Sequence, residues 1–126
     1  MEKSQLVDVL RTFSDKEIRD CRKWLNSPAH NQRDDVVELF EYIFAYDHLD
    51  NEKFLDKERV FRKIFPGEAY DDARLRQTMY FLMKAVEEFL IYQEYAGDEI
   101  KTQMALAGVF RKRGLDKVFQ KTLRNI

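Results

Sequence analysis

Apolar residues recur along this chain at the three- and four-residue spacing of amphipathic helices, broken by short polar stretches rich in cap and turn residues. Leu6, Val9, Leu10 and Phe13 fall on one face of a short first helix. Ser14-Asp15-Lys16-Glu17 has the form of a capping box, in which Ser14 and Glu17 satisfy each other's backbone amides. A second helix is predicted from there, burying Ile18, Cys21, Leu25 and one face of Trp24. It ends at Ser27-Pro28, because the residue before a proline is pushed out of the α region. Asn31 reads as the N-cap of a third helix, with Asp34 and Asp35 at the positive end of its dipole and Val36, Phe40, Ile43 and Phe44 inward. Tyr42 and Tyr46 lie off that stripe and border a second surface. Residues 47–55 read as a polar connection. Asp56 then caps a fourth helix carrying Val60, Phe61, Ile64 and Phe65, which stops at Pro66-Gly67.

Asp71 opens the longest segment, residues 72–96, which has no Gly or Pro inside and Gly97 in the expected left-handed C-terminal position. Leu75, Met79, Leu82, Val86 and Phe89 form one stripe, and Phe81, Ala85 and Tyr92 a neighbouring one. A helix this apolar needs cover from two sides, which places it at the centre. Asp98 caps a sixth helix with Ile100, Met104, Ala107 and Phe110 inward, and Asp116 starts a last one burying Leu115, Val118, Phe119 and Leu123. The predicted fold is all-α, an irregular bundle of six or seven helices around a long central helix at 72–96, ending in a helical hairpin. One helical domain covers 1–126. Apolar residues still arrive at Ile126, so the chain also fits the N-terminal part of a longer helical array.

Composition supports this reading. With 13% aromatic residues the chain can bury enough area to order itself, and four Gly and two Pro are too few for a β-sandwich of 126 residues. Cys21 is the single cysteine, so it forms no internal disulfide and is expected as a buried small hydrophobe. The N-terminus shows no apolar run followed by a cleavage site, and the longest apolar stretch, Met79 to Met83, is too short to span a bilayer. A cytoplasmic location is expected. Formal charge is unevenly spread: −4 over residues 1–50, −1 over 51–97 and +4 over 98–126.

Three stretches carry a family resemblance: LRTFSDKEIRDCRKWLNSPAHN (Leu10 to Asn31), FRKIFPGEAYDDARLRQTMYFLMKAVEEFL (Phe61 to Leu90) and RKRGLDKVFQKTL (Arg111 to Leu123). Together they resemble the N-terminal helical region of large uncharacterised proteins of Bacteroidetes bacteria. The resemblance implies helices and a bacterial protein that continues beyond this region; it implies no activity.

A search for chemistry yields little. The four glycines stand isolated at 67, 97, 108 and 114, so no phosphate-cradling loop exists. His30 and His48 fall in polar loops and are expected to be solvated. Asp47 to Glu52 fails as a calcium loop, with Leu49 at the third position and Glu52 where glycine is required. Asp34, Glu38 and Glu41 share a face that reads as an ordinary solvated strip, and Ser14 and Ser27 serve as cap and turn. No nucleophile, base and orienting group can be assembled. The chain is therefore expected to be no enzyme and to hold no cofactor or metal.

Basic residues offer more. Arg59, Arg62, Lys63, Arg74 and Arg76 flank the Pro66-Gly67 turn in an arrangement resembling helix-turn-helix readers, but Glu68, Asp71 and Asp72 oppose phosphate approach. Arg111, Lys112, Arg113, Lys117 and Lys121 are nearly unopposed and are the candidate contacts for nucleic acid or another anionic partner. Arg111 to Arg113 also suit the negative end of a helix without any ligand. The leading expectation is a non-catalytic protein-interaction or scaffold module, with a protein partner, itself or another. Tyr42, Tyr46, Tyr80, Tyr92 and Tyr95 are its candidate contacts, because so many tyrosines cannot share one core. Nucleic-acid binding is the alternative.

Overall fold

The computed structural model describes Met1 and residues 4–126. The described residues form seven α-helices and no strand: α1 (Gln5–Leu10), α2 (Asp15–Leu25), α3 (Asp34–Phe44), α4 (Lys57–Ile64), α5 (Asp72–Ala96), α6 (Glu99–Lys112) and α7 (Asp116–Arg124). Two short 3₁₀ turns, His48–Asp50 and Glu52–Leu55, occupy the connection before α4. None of these helices is long and apolar enough to cross a membrane.

Most boundaries are set by local chemistry. The capping box is present: Ser14 Oγ accepts from the Glu17 amide at 3.2 Å, and Glu17 Oε1 from the Ser14 amide at 3.0 Å. Asp56, Asp71 and Asp98 each accept from the backbone amide three residues on, at 3.0–3.2 Å, as N-cap carboxylates should. Gly67 and Gly114 take the left-handed turns, at φ 80° and 72°.

Two caps differ from expectation. Asn31 does not start α3, whose N-cap position is Arg33. Its amide instead donates to the carbonyls of Leu25 and Arg33, and its Oδ1 accepts from the Arg33 amide, stitching the α2–α3 loop shut. An asparagine side chain satisfies loop backbone as readily as a helix end. Gly97 is not left-handed. Its amide still bonds Gln93 in the helical sense, and the chain turns at the extended Asp98.

The chain divides into two compact units, Met1–Glu87 and Glu88–Ile126. The first has a dense core: Leu10, Cys21, Val36, Leu39, Phe40, Val60, Phe61, Leu75 and Leu82 are buried from solvent. Within it α5 buries Leu75, Thr78, Leu82, Ala85 and Val86, a single stripe where two were expected. Phe81 stays half-buried, roofed by the Arg33 guanidinium 4.3 Å from its ring centroid. A flat cation over an aromatic face removes the need for a second apolar layer.

The connection before α4 is not simply polar. Leu55 is buried, and so is His48, which was expected in solvent. The His48 ring packs against Tyr42 and Phe54 with centroids 4.4 Å away in each case, and its Nδ1 lies 2.6 Å from the Tyr42 carbonyl. A carbonyl only accepts, so Nδ1 carries the hydrogen and donates. His30 stays exposed as expected, and its ring lies flat on Trp24 with centroids 3.6 Å apart.

The second unit has almost no core. α6 buries only Ala107 and α7 only Thr122; these small residues let the two helices pack directly on one another. Ile100 and Met104, expected inward, are 62% and 60% exposed. Leu115, Val118 and Leu123, also expected to be buried, are exposed, and Phe110 and Phe119 are half-buried. Two helices of fourteen and nine residues have no third layer within the unit to close over both flanks of α6.

Candidate interaction surfaces

Two surfaces collect the residues of interest, one on each unit. The first is an open groove of about 820 Å³ between α3, the 3₁₀ connection and α4. α3 contributes Val37, Glu38, Glu41 and Tyr42; the connection Ala45, Tyr46, His48 and Phe54; and α4 Arg59, Arg62, Lys63 and Ile64. Its acidic and basic residues thus come from different helices. Glu41 is already held by Arg22 Nε at 2.6 Å, and the Arg59 guanidinium lies 4.3 Å from the Phe54 centroid. Among the described residues Arg62 and Lys63 enter no ion pair.

The five candidate tyrosines separate on inspection of their surroundings. Tyr42 is buried and its hydroxyl donates to the Phe54 carbonyl at 2.6 Å, so it is groove floor and not a projecting contact. Burial, with the Asp56 carboxylate adding to it, raises its phenol pKa against the opposing pull of Arg59. It sits off the stripe by helical spacing, but the 3₁₀ connection folds back over it. Tyr46 is 97% exposed and takes φ 49°, a left-handed conformation costly for a residue with a Cβ. Tyr80, Tyr92 and Tyr95 are each more than half exposed. Lys84 Nζ lies 5.6 Å from the Tyr80 centroid, and Lys101 Nζ 5.8 Å from that of Tyr95. These tyrosines are not one cluster.

The second surface is the Glu88–Ile126 unit itself. Eleven large apolar side chains there are exposed: Ile91, Tyr92, Tyr95, Ile100, Met104, Leu106, Val109, Leu115, Val118, Leu123 and Ile126. The longer first unit exposes only Tyr46, Tyr70 and Tyr80 among its described residues. At about half exposure each, eleven such side chains present on the order of 1,000 Å². The exposed apolar surface is therefore concentrated in the last third of the chain. Sequence reading missed Ile91, Leu106 and Val109. The available signal was α6 itself, whose apolar residues point around its whole circumference, so that one packing partner could never cover them.

The basic candidates lie on this same unit. Arg111, Lys112, Arg113, Lys117 and Lys121 are all exposed, and among the described residues none is in an ion pair. Lys117 and Lys121, with Arg124, follow one face of α7 at i, i+4 and i+7. Arg111 and Lys112 sit in the last turn of α6.

No cluster of three or more His, Cys, Asp or Glu among the described residues is placed to hold a metal ion. Both oxygens of the Asp35 carboxylate are engaged. It accepts from Arg33 Nε and Nη2 at 3.1 and 2.8 Å, from the Val36 amide at 3.0 Å and from Thr78 Oγ1 at 2.7 Å. Burial would raise its pKa, but these donors outweigh burial and hold it below the usual carboxylate value. Its work is structural, tying the start of α3 to α5. Compared with family models, curated proteins and solved structures, the chain matches none.

Proposed function

We propose that this chain is a non-catalytic protein-interaction or scaffold module of the bacterial cytoplasm, engaging its partner chiefly through residues 88–126. The observation that supports this reading is the surplus of exposed apolar side chains on that unit, where Ile100 and Met104, one turn apart, are the most exposed. Leaving such surface in water is unfavourable by roughly 25 cal/mol per Å², so covering it supplies a driving force for association. The test is site-specific photo-crosslinking in living cells, with the reactive residue at Met104 or Val118 and a control at exposed Arg19 in the first unit. Discrete adducts are expected at the first two sites and none at the control; no adducts at Met104 and Val118 would overturn the reading.

The unpaired cations favour a second reading, binding of nucleic acid or another polyanion by α6 and α7. It requires affinity that falls steeply with salt, since each neutralised phosphate releases counterions. Replacing Arg111, Lys112 and Arg113 together by alanine should then abolish binding to single or duplex strands. Absence of binding at low salt removes this reading.

A further inference from the structure

The groove of the first unit carries both signs of charge, and they do not balance. Arg59 has Arg62 and Lys63 as its helical neighbours at i+3 and i+4, so the three give α4 one cationic edge along the groove. Among the described residues none of them enters an ion pair. On the α3 side Glu41 is neutralised by Arg22, which leaves Glu38 against those three cations. The balance favours an anion. The same acidic side disfavours a polyanion such as a nucleic-acid strand, which would meet Glu38 and Glu41. Beneath the charges the floor is aromatic, with Tyr42 buried and Phe54 capped by the Arg59 guanidinium at 4.3 Å. The volume of about 820 Å³ falls in the roughly 300–1,000 Å³ range of small-ligand sites, which join an apolar lining to a few convergent polar groups.

His48 supplies an independent observation. Its ring lines the groove and is 8% exposed. Nδ1 donates to the Tyr42 carbonyl, so in the neutral ring Nε2 is an acceptor. Among the described residues nothing donates to Nε2, and the atom is not sealed from solvent. Buried acceptors are normally bonded, and one left open on a groove wall calls for a donor carried by a ligand. We propose that this groove binds a small aromatic acid: its carboxylate or phosphate held by Arg59 and Lys63, its ring on the Tyr42–Phe54 floor, and a hydroxyl or amino hydrogen given to His48 Nε2. The site lies wholly within the first unit and is independent of the partner surface on residues 88–126.

The test is a heteronuclear NMR titration of the full chain with two anions, 4-hydroxyphenylacetate and adenosine monophosphate, beside their uncharged counterparts, 4-hydroxyphenylacetamide and adenosine. Saturable shifts are expected at Tyr42, Tyr46, His48 and Phe54 and in the His48 Nε2 resonance, with at least one anion bound about tenfold more tightly than its uncharged counterpart. The anion that binds more tightly identifies the head group as carboxylate or phosphate. Arg59→Gln and Lys63→Gln should each weaken the anions by about fivefold and leave the uncharged compounds unaffected, which a damaged fold would not do. Arg113→Gln, the same change of net charge in the second unit, should have no effect. Methylating the phenol, in 4-methoxyphenylacetate, removes the donor and should weaken binding of the carboxylate ligand by about tenfold, because Nε2 is left unsatisfied. No saturation with either anion up to about 10 mM overturns the proposal. So do shifts confined to residues 88–126, or anions bound no better than their uncharged counterparts.

Discussion

The Thr78–Asp35 hydrogen bond offers a measurable test of how the first unit is held together. Thr78 is fully buried on α5, and its hydroxyl lies 2.7 Å from Asp35 Oδ2 at the start of α3, forty-three positions away. The same hydroxyl is 3.2 Å from the Arg74 carbonyl, a weaker local alternative for its one proton. Thr78→Val keeps the shape and removes the donor. A hydrogen bond to a charged acceptor contributes about 1.5–3 kcal/mol. Because Asp35 keeps its Arg33 and Val36 donors, the lower part of that range, about 1.5 kcal/mol, is expected. That corresponds to a drop of roughly 6–12 °C in Tm for a domain of this size. Asp35→Ala should cost more, about 3 kcal/mol, since the amide of Val36 also loses its acceptor; Arg33 is 39% exposed and adds little. The double variant should cost about 3 kcal/mol as well, a coupling of about 1.5 kcal/mol. Urea unfolding followed by fluorescence of Trp24, the single tryptophan and a residue of the first unit, measures all three. Coupling below about 0.5 kcal/mol would refute the reasoning, because it would mean that the two groups act independently.

Other outcomes follow from the same structure. Asp35 has a lowered native pKa, so its contribution is present above the unfolded carboxylate value near 3.9 and is lost as pH falls through the lower native value. Asp35→Asn should therefore narrow the gap in stability from wild type as pH drops below about 4 in acid titration of the urea midpoint. Tyr46→Gly should raise stability by about 0.5–1 kcal/mol, since relief of the left-handed strain exceeds the added unfolded-chain entropy of glycine; a lower midpoint would show that the Tyr46 ring contributes packing despite its exposure. Burial pushes the Cys21 thiol up to about 12, so it should react with a disulfide reagent only as fast as the unit opens, and at once in denaturant. Rapid reaction of the folded protein would contradict its burial.

The helices themselves were legible because their signals are local. Period, caps and breakers act within four residues, and so the Ser14 capping box, the aspartate caps at 56, 71 and 98, and the turns at Gly67 and Gly114 could be read directly. The apolar stripes also named the core of the first unit, including Cys21, Phe40, Val60, Phe61, Leu75 and Leu82. What periodicity cannot state is whether a partner layer exists to cover a stripe. Ile100, Met104, Val118 and Leu123 have the spacing of buried residues and stand in water, while His48 and Tyr42, off any stripe, are buried by the fold-back of the 3₁₀ connection. Burial is a property of the neighbours a residue acquires, and those are set by long-range packing. The same holds for the contacts between distant residues: Asp35 and Thr78 look like ordinary polar positions until α3 and α5 bring them within 2.7 Å. The chain's own residues thus determined which segments coil and which faces are apolar, and the tertiary arrangement alone decided which of those faces are covered and which remain exposed.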